Sequence, residues 1–239
     1  MIGTSDRILD AAEVLFAQGG YAGTSLRSIM GKAGVNVAAI HYHFHSKEAL
    51  IEAVLLRRMQ PANEERLRLL EDYEAAAGRQ ATVEGVLLAF LEPTFQMAAD
   101  PAQGGHTFML LLGRLQAEGD LLARIVVTRF GTVLFRFGDA LSRALPELPQ
   151  PELFWRARLA MGATAQILRD APGIKSALAG DTPDWPAMLH RLIPFLSAGF
   201  RAPLETQDYQ ARTGCRRTDE THDHSRLYVG HAAADRGGA

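Results

Sequence analysis

The sequence is poor in cysteine. Cys215 is the single one in 239 residues, so no disulfide closes within the chain, and a reducing, cytoplasmic setting is expected. No apolar run approaches the ~18–20 residues of a membrane span. The N-terminus carries no basic-then-apolar leader. A soluble protein with no membrane partner is therefore expected. An excess of either charge is also missing: Lys and Arg number 25 against 27 Asp and Glu, a formal net charge of −2. That balance excludes a chain that coats nucleic acid through a broadly basic surface. Residues 1–60 carry six Lys/Arg and five Asp/Glu, so any DNA contact made there rests on a few placed groups. Sustained period-two alternation with β-branched enrichment is absent. So are the spacings G-x-x-x-x-G-K-[ST], G-x-S-x-G and H-E-x-x-H, and neither an enzyme activity nor a cofactor is expected.

What is present reads as helix throughout, an all-α chain. Helix one follows Thr4 or Ser5 as cap, has Asp6 in its first turn, and carries Ile8, Leu9, Ala12, Leu15 and Phe16 as an apolar stripe before Gly19-Gly20 stops it. A second helix starts at Thr24 or Ser25, buries Leu26, Ile29 and Met30, and ends at Gly34. A third is capped by Asn36 and turns Ile40 and Phe44 inward, with Val35 plugging the turn. Ser46 caps a fourth, with Leu50, Ile51, Val54 and Leu55 on one face. Pro61 is expected to kink that helix or to start a new one. Five more helical patterns follow: Val83–Met97 with a kink at Pro93, Pro101–Glu118 broken early at Gly104-Gly105, Asp120–Leu145, Pro151–Ala171 and Trp185–Phe200. Pro172-Gly173 and Gly180–Pro183 are the breakers between the last two. The expected division is a helix-turn-helix DNA-binding domain over 1–56, a helical effector-binding and dimerisation domain over 57–202, and a polar, disordered tail over 203–239.

The two short helices around Ala33-Gly34-Val35 carry the functional reading. Short helices are marginal alone, and a pair joined by a glycine turn suits a helix-turn-helix whose second helix enters a DNA groove. Val37, Ala38, Ala39, His41 and Tyr42 are the candidates for its outer face. The alanines let the backbone approach the groove floor, and Val37 and the alanine methyls can meet thymine methyls. Thr24, Ser25, Tyr42, His43 and Lys47 are placed as phosphate donors, and Arg27 as a base-edge or backbone contact. The N-termini of helices two and four add partial positive charge.

T-S-L-R-S-I, then A-G-V, then I-H-Y-H-F-H-S-K-E-A-L resembles the DNA-binding domain of TetR/AcrR-type transcriptional regulators. The likeness covers about the first 55 residues, and Tyr42, Phe44, Lys47 and Glu48 meet the family's Tyr-x-Phe-x-x-Lys-Glu frame. At His41, where the family often carries tyrosine, the chain departs from it with a shorter side chain. The resemblance implies a homodimeric repressor of a double-stranded DNA operator, released when a small molecule enters the C-terminal domain. It also implies a four-helix interface built from the last two long helices of each subunit. On those helices Leu153, Ala157, Ala160, Thr164 and Ile167 form one stripe, and Trp185, Leu189, Leu192, Leu196 and Phe200 the other. The plainer reading of both stripes is core of a single chain.

Other groups have plain and specific readings side by side. Phe95, Met97, Met109, Phe130, Val133 and Phe137 either line a ligand cavity or fill a core. His106, Arg114, Gln116 and Gln166 are polar groups able to orient a ligand. Arg57-Arg58 and Glu64-Glu65-Arg66-Arg68 read as a solvated helix face, with Arg57 a further candidate for the DNA side. His41 and His45 are four apart, but the helix is expected to end between them. Cys215, His222, His224 and His231 lie in the tail, so no metal site is expected. An all-helical enzyme carrying a helix-turn-helix, or a non-DNA adaptor, is the alternative. The first needs converging titratable groups, and the second has no use for Ser25, Tyr42, His43 and Lys47 around one groove-sized helix.

Overall fold

The computed structural model describes residues 3–100, 104–178 and 184–204, with the side chains of 37–40, 79 and 169–178 left aside. The described residues up to Arg201 form one unit of helices. The tail expected beyond residue 204 and the Gly180–Pro183 breaker lie outside the described residues.

The helices are α1 (Thr4–Gly23), α2 (Leu26–Ala33), α3 (Val37–Phe44), α4 (Lys47–Ala77), α5 (Val83–Ala99), α6 (Gly105–Ala117), α7 (Leu121–Ala144), α8 (Gln150–Leu178) and α9 (Trp185–Arg201). A short 3-10 turn, Gly78–Gln80, joins α4 to α5. Ile8, Phe16, Ile29, Leu50, Ile51, Val54 and Leu55 are fully buried and tie α1, α2 and α4 together. Phe108, Leu111 and Leu115 of α6 continue the same core, so α6 runs along α1.

Several boundaries differ from expectation for local reasons. The N-cap of α1 is Gly3, with no side-chain hydrogen bond, rather than Thr4 or Ser5. Gly20 interrupts the helical backbone of α1, as expected of Gly19-Gly20. It takes φ 73° and ψ 175°, kinks the helix, and one further turn runs to Gly23. α4 passes through Pro61 unbroken for 31 residues and crosses the expected boundary at 56/57. α5 contains Pro93 within one helix, as expected, whereas α8 runs through Pro172-Gly173 to Leu178. A proline removes one N–H and crowds one carbonyl. Within a long helix the remaining backbone bonds outweigh that local loss.

Arg57 and Arg58 are not a solvated face. Glu13 is buried at 3% exposure. Its carboxylate accepts from Arg57 Nη2 at 2.8 Å, Arg58 Nη2 at 3.0 Å and Arg58 Nε at 3.1 Å, while Arg57 Nη1 donates to Asp10 at 2.7 Å. This cluster clamps α1 to α4. By contrast, Arg68 lies between Glu65 and Asp72 on the exposed side of α4, as expected of a solvated face. Removing one member of a buried ion cluster strands the others and costs ~3–5 kcal/mol, whereas exposed pairs contribute ~0–1. Glu13→Ala is therefore expected to lower the melting temperature by roughly 10 °C, and Glu65→Ala to leave it within about 2 °C. Circular-dichroism melts of the two variants check this, and equal small shifts would remove the clamp.

At the far end, Arg201 of α9 pairs with Glu84 at the start of α5 and holds that carboxyl down to about 2. Arg136 and Arg143 of α7 both reach Glu74 of α4 and lower its carboxyl as well. No helix among the described residues is long and apolar enough to cross a membrane.

Candidate DNA-binding and effector sites

α2 is built as expected. Ser25 caps it, its Oγ accepting from Ser28 N–H at 3.0 Å while Ser28 Oγ accepts from Ser25 N–H at 3.2 Å. This is a reciprocal capping box with serine in the place of the usual Glu or Gln. Gly34 ends α2 in the left-handed region, at φ 65° and ψ 40°, where a Cβ would be strained. Its N–H donates back to the Met30 carbonyl. α3 follows after two residues. Its outer side presents Tyr42, 80% exposed, together with the exposed His41 and His43, while Phe44 is buried beneath. Arg27 is exposed on the neighbouring α2. Tyr42 and His43 meet edge to face at 5.1 Å. The backbone of Val37, Ala38 and Ala39 belongs to α3, but the contacts expected of their side chains lie outside the described residues. His45 sits past the helix end with φ 61°, so it does not share a helical face with His41.

Two of the expected phosphate donors stand differently. Thr24 is buried at 5% exposure, and its hydroxyl donates to the carbonyls of Leu15 at 3.0 Å and Gly20 at 2.8 Å. The kink at Gly20 frees a carbonyl, and Thr24 satisfies it instead of facing a groove. Lys47 is half-buried, with Nζ 4.5 Å above the Tyr21 ring and 3.5 Å from the Ala22 carbonyl. It braces the end of α1.

A contact that sequence reasoning missed lies at the same end of α1. Glu118, just past α6, accepts from the backbone N–H groups of Tyr21 at 2.8 Å and Ala22 at 3.2 Å. Burial, and next the negative charge of Glu48, push the Tyr21 phenol up. Arg124 and Arg129 of α7 pair with Glu48 and Glu52 of α4. The helix-turn-helix is thus tied to α6 and α7 by several charged contacts around one apolar seam.

Two cavities open between the remaining helices. One, of about 180 Å³, is lined by residues of α4 to α8, among them Met109, Phe130, Val133 and Gln116. The other, of about 260 Å³, lies among α5, α7, α8 and α9 and includes Phe137. Phe90, Leu91, Leu134 and Met161 line both and form the partition between them. Of the expected pocket residues, Met109, Phe130, Val133 and Phe137 are therefore at cavities. Phe95, Met97 and His106 line neither: Phe95 packs against Trp185 with ring centroids 6.1 Å apart, Met97 is half-buried and His106 is exposed. Helical spacing marks an inward face but not whether that face meets space or another side chain.

The smaller cavity also holds polar groups that were not expected. Arg66, read as solvated, is 9% exposed, and its neighbour Asn63 is 5% exposed. Arg66 Nε donates to the Phe90 carbonyl at 2.8 Å, Nη1 to Asn63 Oδ1 and Nη2 to Thr94 Oγ1. Its guanidinium stacks over the Phe90 ring at 4.7 Å. The signal was available: Met59, Asn63, Arg66 and Leu70 are spaced four, three and four apart on one inward stripe of α4.

The expected dimer stripes face the chain's own core. Leu153, Ala160, Thr164, Trp185, Leu189, Leu192, Leu196 and Phe200 are each at or below 9% exposure, and Ala157 and Ile167 are half-buried. The exposed apolar side chains of α8 and α9 are others: Phe154 50%, Trp155 55%, Leu159 69%, Met161 45% and Phe195 70%. An amphipathic helix gives its widest apolar stripe to its own core first.

Comparison with known proteins adds to this geometry. The family model described as bacterial regulatory proteins, tetR family, matches residues 8–54, and the one described as tetracyclin repressor-like, C-terminal domain, matches 88–199. UidR of Escherichia coli K12, an HTH-type transcriptional regulator, is 36% identical over 59 residues, 25% of this chain and 30% of its own length. SrpR of Pseudomonas putida, also an HTH-type transcriptional regulator, is 34% identical over 89 residues, 37% of this chain and 38% of its own length. The chain thus spans about a third of the length of these two relatives. Among solved structures, the fatty acid degradation regulator FadR from Bacillus halodurans superposes with a TM-score of 0.52 at 18% identity, over 85% of this chain and 99% of that one. A transcriptional regulator from Rhodococcus sp. Rha1 gives 0.52 at 24% identity, over 84% and 100%. At these identities the likeness is one of fold. The first match falls on α1 to α4 and the second on α5 to α9, so both parts of the chain are accounted for, and the chain belongs to the TetR family of bacterial transcriptional regulators.

Proposed function

We propose that the protein is a homodimeric, ligand-responsive repressor. In this reading residues 1–56 bind an operator and 57–202 bind a small-molecule effector and pair with a second copy. The observation that carries the reading is the presentation of α3, a two-turn helix. Its inner residue Phe44 is buried while His41, Tyr42 and His43 stand out beside Arg27 of α2. A two-turn helix anchored from below with a bare outer face suits a major groove. The near-neutral net charge means that specificity and affinity come from these few contacts, doubled by the dimer.

Release is read as mechanical coupling. α6 lines the smaller cavity with Met109, Leu112 and Gln116, and Glu118 immediately beyond it holds the last turn of α1. A molecule that shifts α6 therefore changes how far apart two copies of α3 are held. Such coupling is reciprocal and typically ~1–3 kcal/mol, or ~5–150-fold in affinity.

Fluorescence anisotropy with duplex from upstream of the chain's own gene tests the reading. Tyr42→Ala is expected to weaken binding about tenfold or more by removing a donor to a charged phosphate. Arg27→Ala is expected to do the same and also to lower the salt slope by about one. Lys47→Ala, whose ammonium already lies on Tyr21, should have the smaller effect. Full affinity in both Tyr42→Ala and Arg27→Ala would remove this docking of α3.

A further inference from the structure

Arg66 is a buried cation with no anion beside it. Its three nitrogens donate to a backbone carbonyl, an amide oxygen and a hydroxyl, all neutral acceptors. Among the described residues no carboxylate lies within ion-pair distance of it. Burial pulls its guanidinium down only to about 10, so it stays protonated at neutral pH. The other deeply placed arginines among the described side chains have an acid: Arg57 and Arg58 share Glu13, and Arg156 pairs with Glu152. A buried charge without a counter-ion is costly unless something completes it.

The groups around it are also incomplete. Asn63 gives its oxygen to Arg66 Nη1, and its Nδ2 is buried with no partner. A guanidinium has five N–H donors, so donors remain on the Nη atoms after the bonds to Asn63 and Thr94. Asn63, Arg66 and Thr94 line the 180 Å³ cavity, and the rest of its wall is largely apolar and includes Phe130 and Val133 of α7. Among the described residues Arg66 is the only charged one in that wall.

We propose that this cavity takes a monoanionic organic acid, its carboxylate against Arg66 and the free Asn63 amide and its apolar body against Phe130, Val133 and Phe90. A planar carboxylate matches the guanidinium fork. One buried positive charge balances one negative charge, whereas a dianionic phosphate would leave excess charge in an apolar wall. The assignment rests on the reading of this cavity as the effector site and names the chemical class of that effector. A purely structural Arg66 would only tie α4 to α5 beside Pro93, and it would not distinguish an acid from its amide.

The test is calorimetric titration of the full chain with a panel of monocarboxylates from benzoate through 4-phenylbutyrate to decanoate, each beside its primary amide. At least one acid is expected to bind tenfold or more tightly than its amide. Arg66→Met is expected to erase that preference and Arg66→Lys to weaken it. Where Arg66→Met does not fold, Ala165→Leu narrows the cavity without touching Arg66 and is expected to weaken acid and amide alike. A panel in which no acid binds more tightly than its amide overturns the assignment, as does an acid preference that survives Arg66→Met. Anisotropy with operator duplex separates the two readings. An acid that binds with the Arg66-dependent preference and leaves DNA affinity unchanged upholds the anion site and removes its role as effector site.

Discussion

Gly20→Ala is expected to destabilise the protein by about 3–5 kcal/mol, far more than the same change in an ordinary loop. Two physical terms add. At φ 73° and ψ 175°, Gly20 occupies backbone space that is essentially open only to glycine, and holding alanine there costs ~1–3 kcal/mol. A Cβ at this position would also stand 1.8 Å from Glu118 Oε1. The carboxylate then has to leave, and the N–H groups of Tyr21 and Ala22 lose their acceptor. Hydrogen bonds to a charged group contribute ~1.5–3 kcal/mol each when sheltered, and less here because these are exposed. Glu118→Ala alone removes the acceptor without the strain, so it should cost about 1 kcal/mol. In the double variant the steric conflict no longer exists, so the two changes should sum to less than their separate costs by 0.5 kcal/mol or more. Urea unfolding of the four forms measures this, and strict additivity would show that Gly20 and Glu118 do not communicate. On the proposed mechanism Glu118→Ala has a second consequence. It keeps operator affinity within a few-fold while the response to effector weakens, because α6 has lost its hold on α1.

The helix-turn-helix was legible because its signals are local. A serine cap, a glycine terminator and an apolar residue at each inward turn specify α2 and α3 without reference to the rest of the chain. The same locality limited the reading at Thr24 and Ser25. Both cap helices well, and only the kink at Gly20, near the end of α1, decides that Thr24 turns inward and Ser25 caps. Prolines were over-read. Pro61 and Pro172 each look like a break in a short window, but α4 and α8 keep helical backbone on both sides of them. Buried polar groups were under-read for the opposite reason. Glu13 meets Arg57 and Arg58 across about 45 residues, and Arg66 meets Thr94 across 28. Each charge looks solvated when judged beside its own sequence neighbours. The inward stripe from Met59 to Leu70 was the one local clue.

In the proposed homodimer, Phe195→Glu is expected to abolish pairing and with it most operator affinity. α8 and α9 show solvent an apolar surface that their own core does not need: Trp155 and Leu159 on α8 and Phe195 on α9 are all more than half exposed. Gly162 and Gly199 lie on the same exposed sides, and a Cβ at either would meet nothing within 4 Å. Small residues among large apolar ones let two helix pairs approach closely. Under twofold symmetry a glutamate at 195 appears twice in one interface, each time as a buried charge without a partner. In the isolated subunit it would sit in water at almost no cost. The variant should therefore melt near the wild-type temperature yet sediment as a monomer at micromolar concentration. Its DNA affinity should fall by ~10²–10⁴-fold, because the second half-site no longer binds at the effective concentration that the dimer supplies. Leu192→Glu provides the contrast. It changes a residue of the stripe first assigned to the interface, but Leu192 is 4% exposed within its own subunit. That variant should lose cooperative unfolding altogether. If Phe195→Glu and Trp155→Glu both remain dimeric with wild-type affinity, this face of α8 and α9 is not where two copies meet. The separation of the two recognition helices would then have to be set elsewhere in the chain.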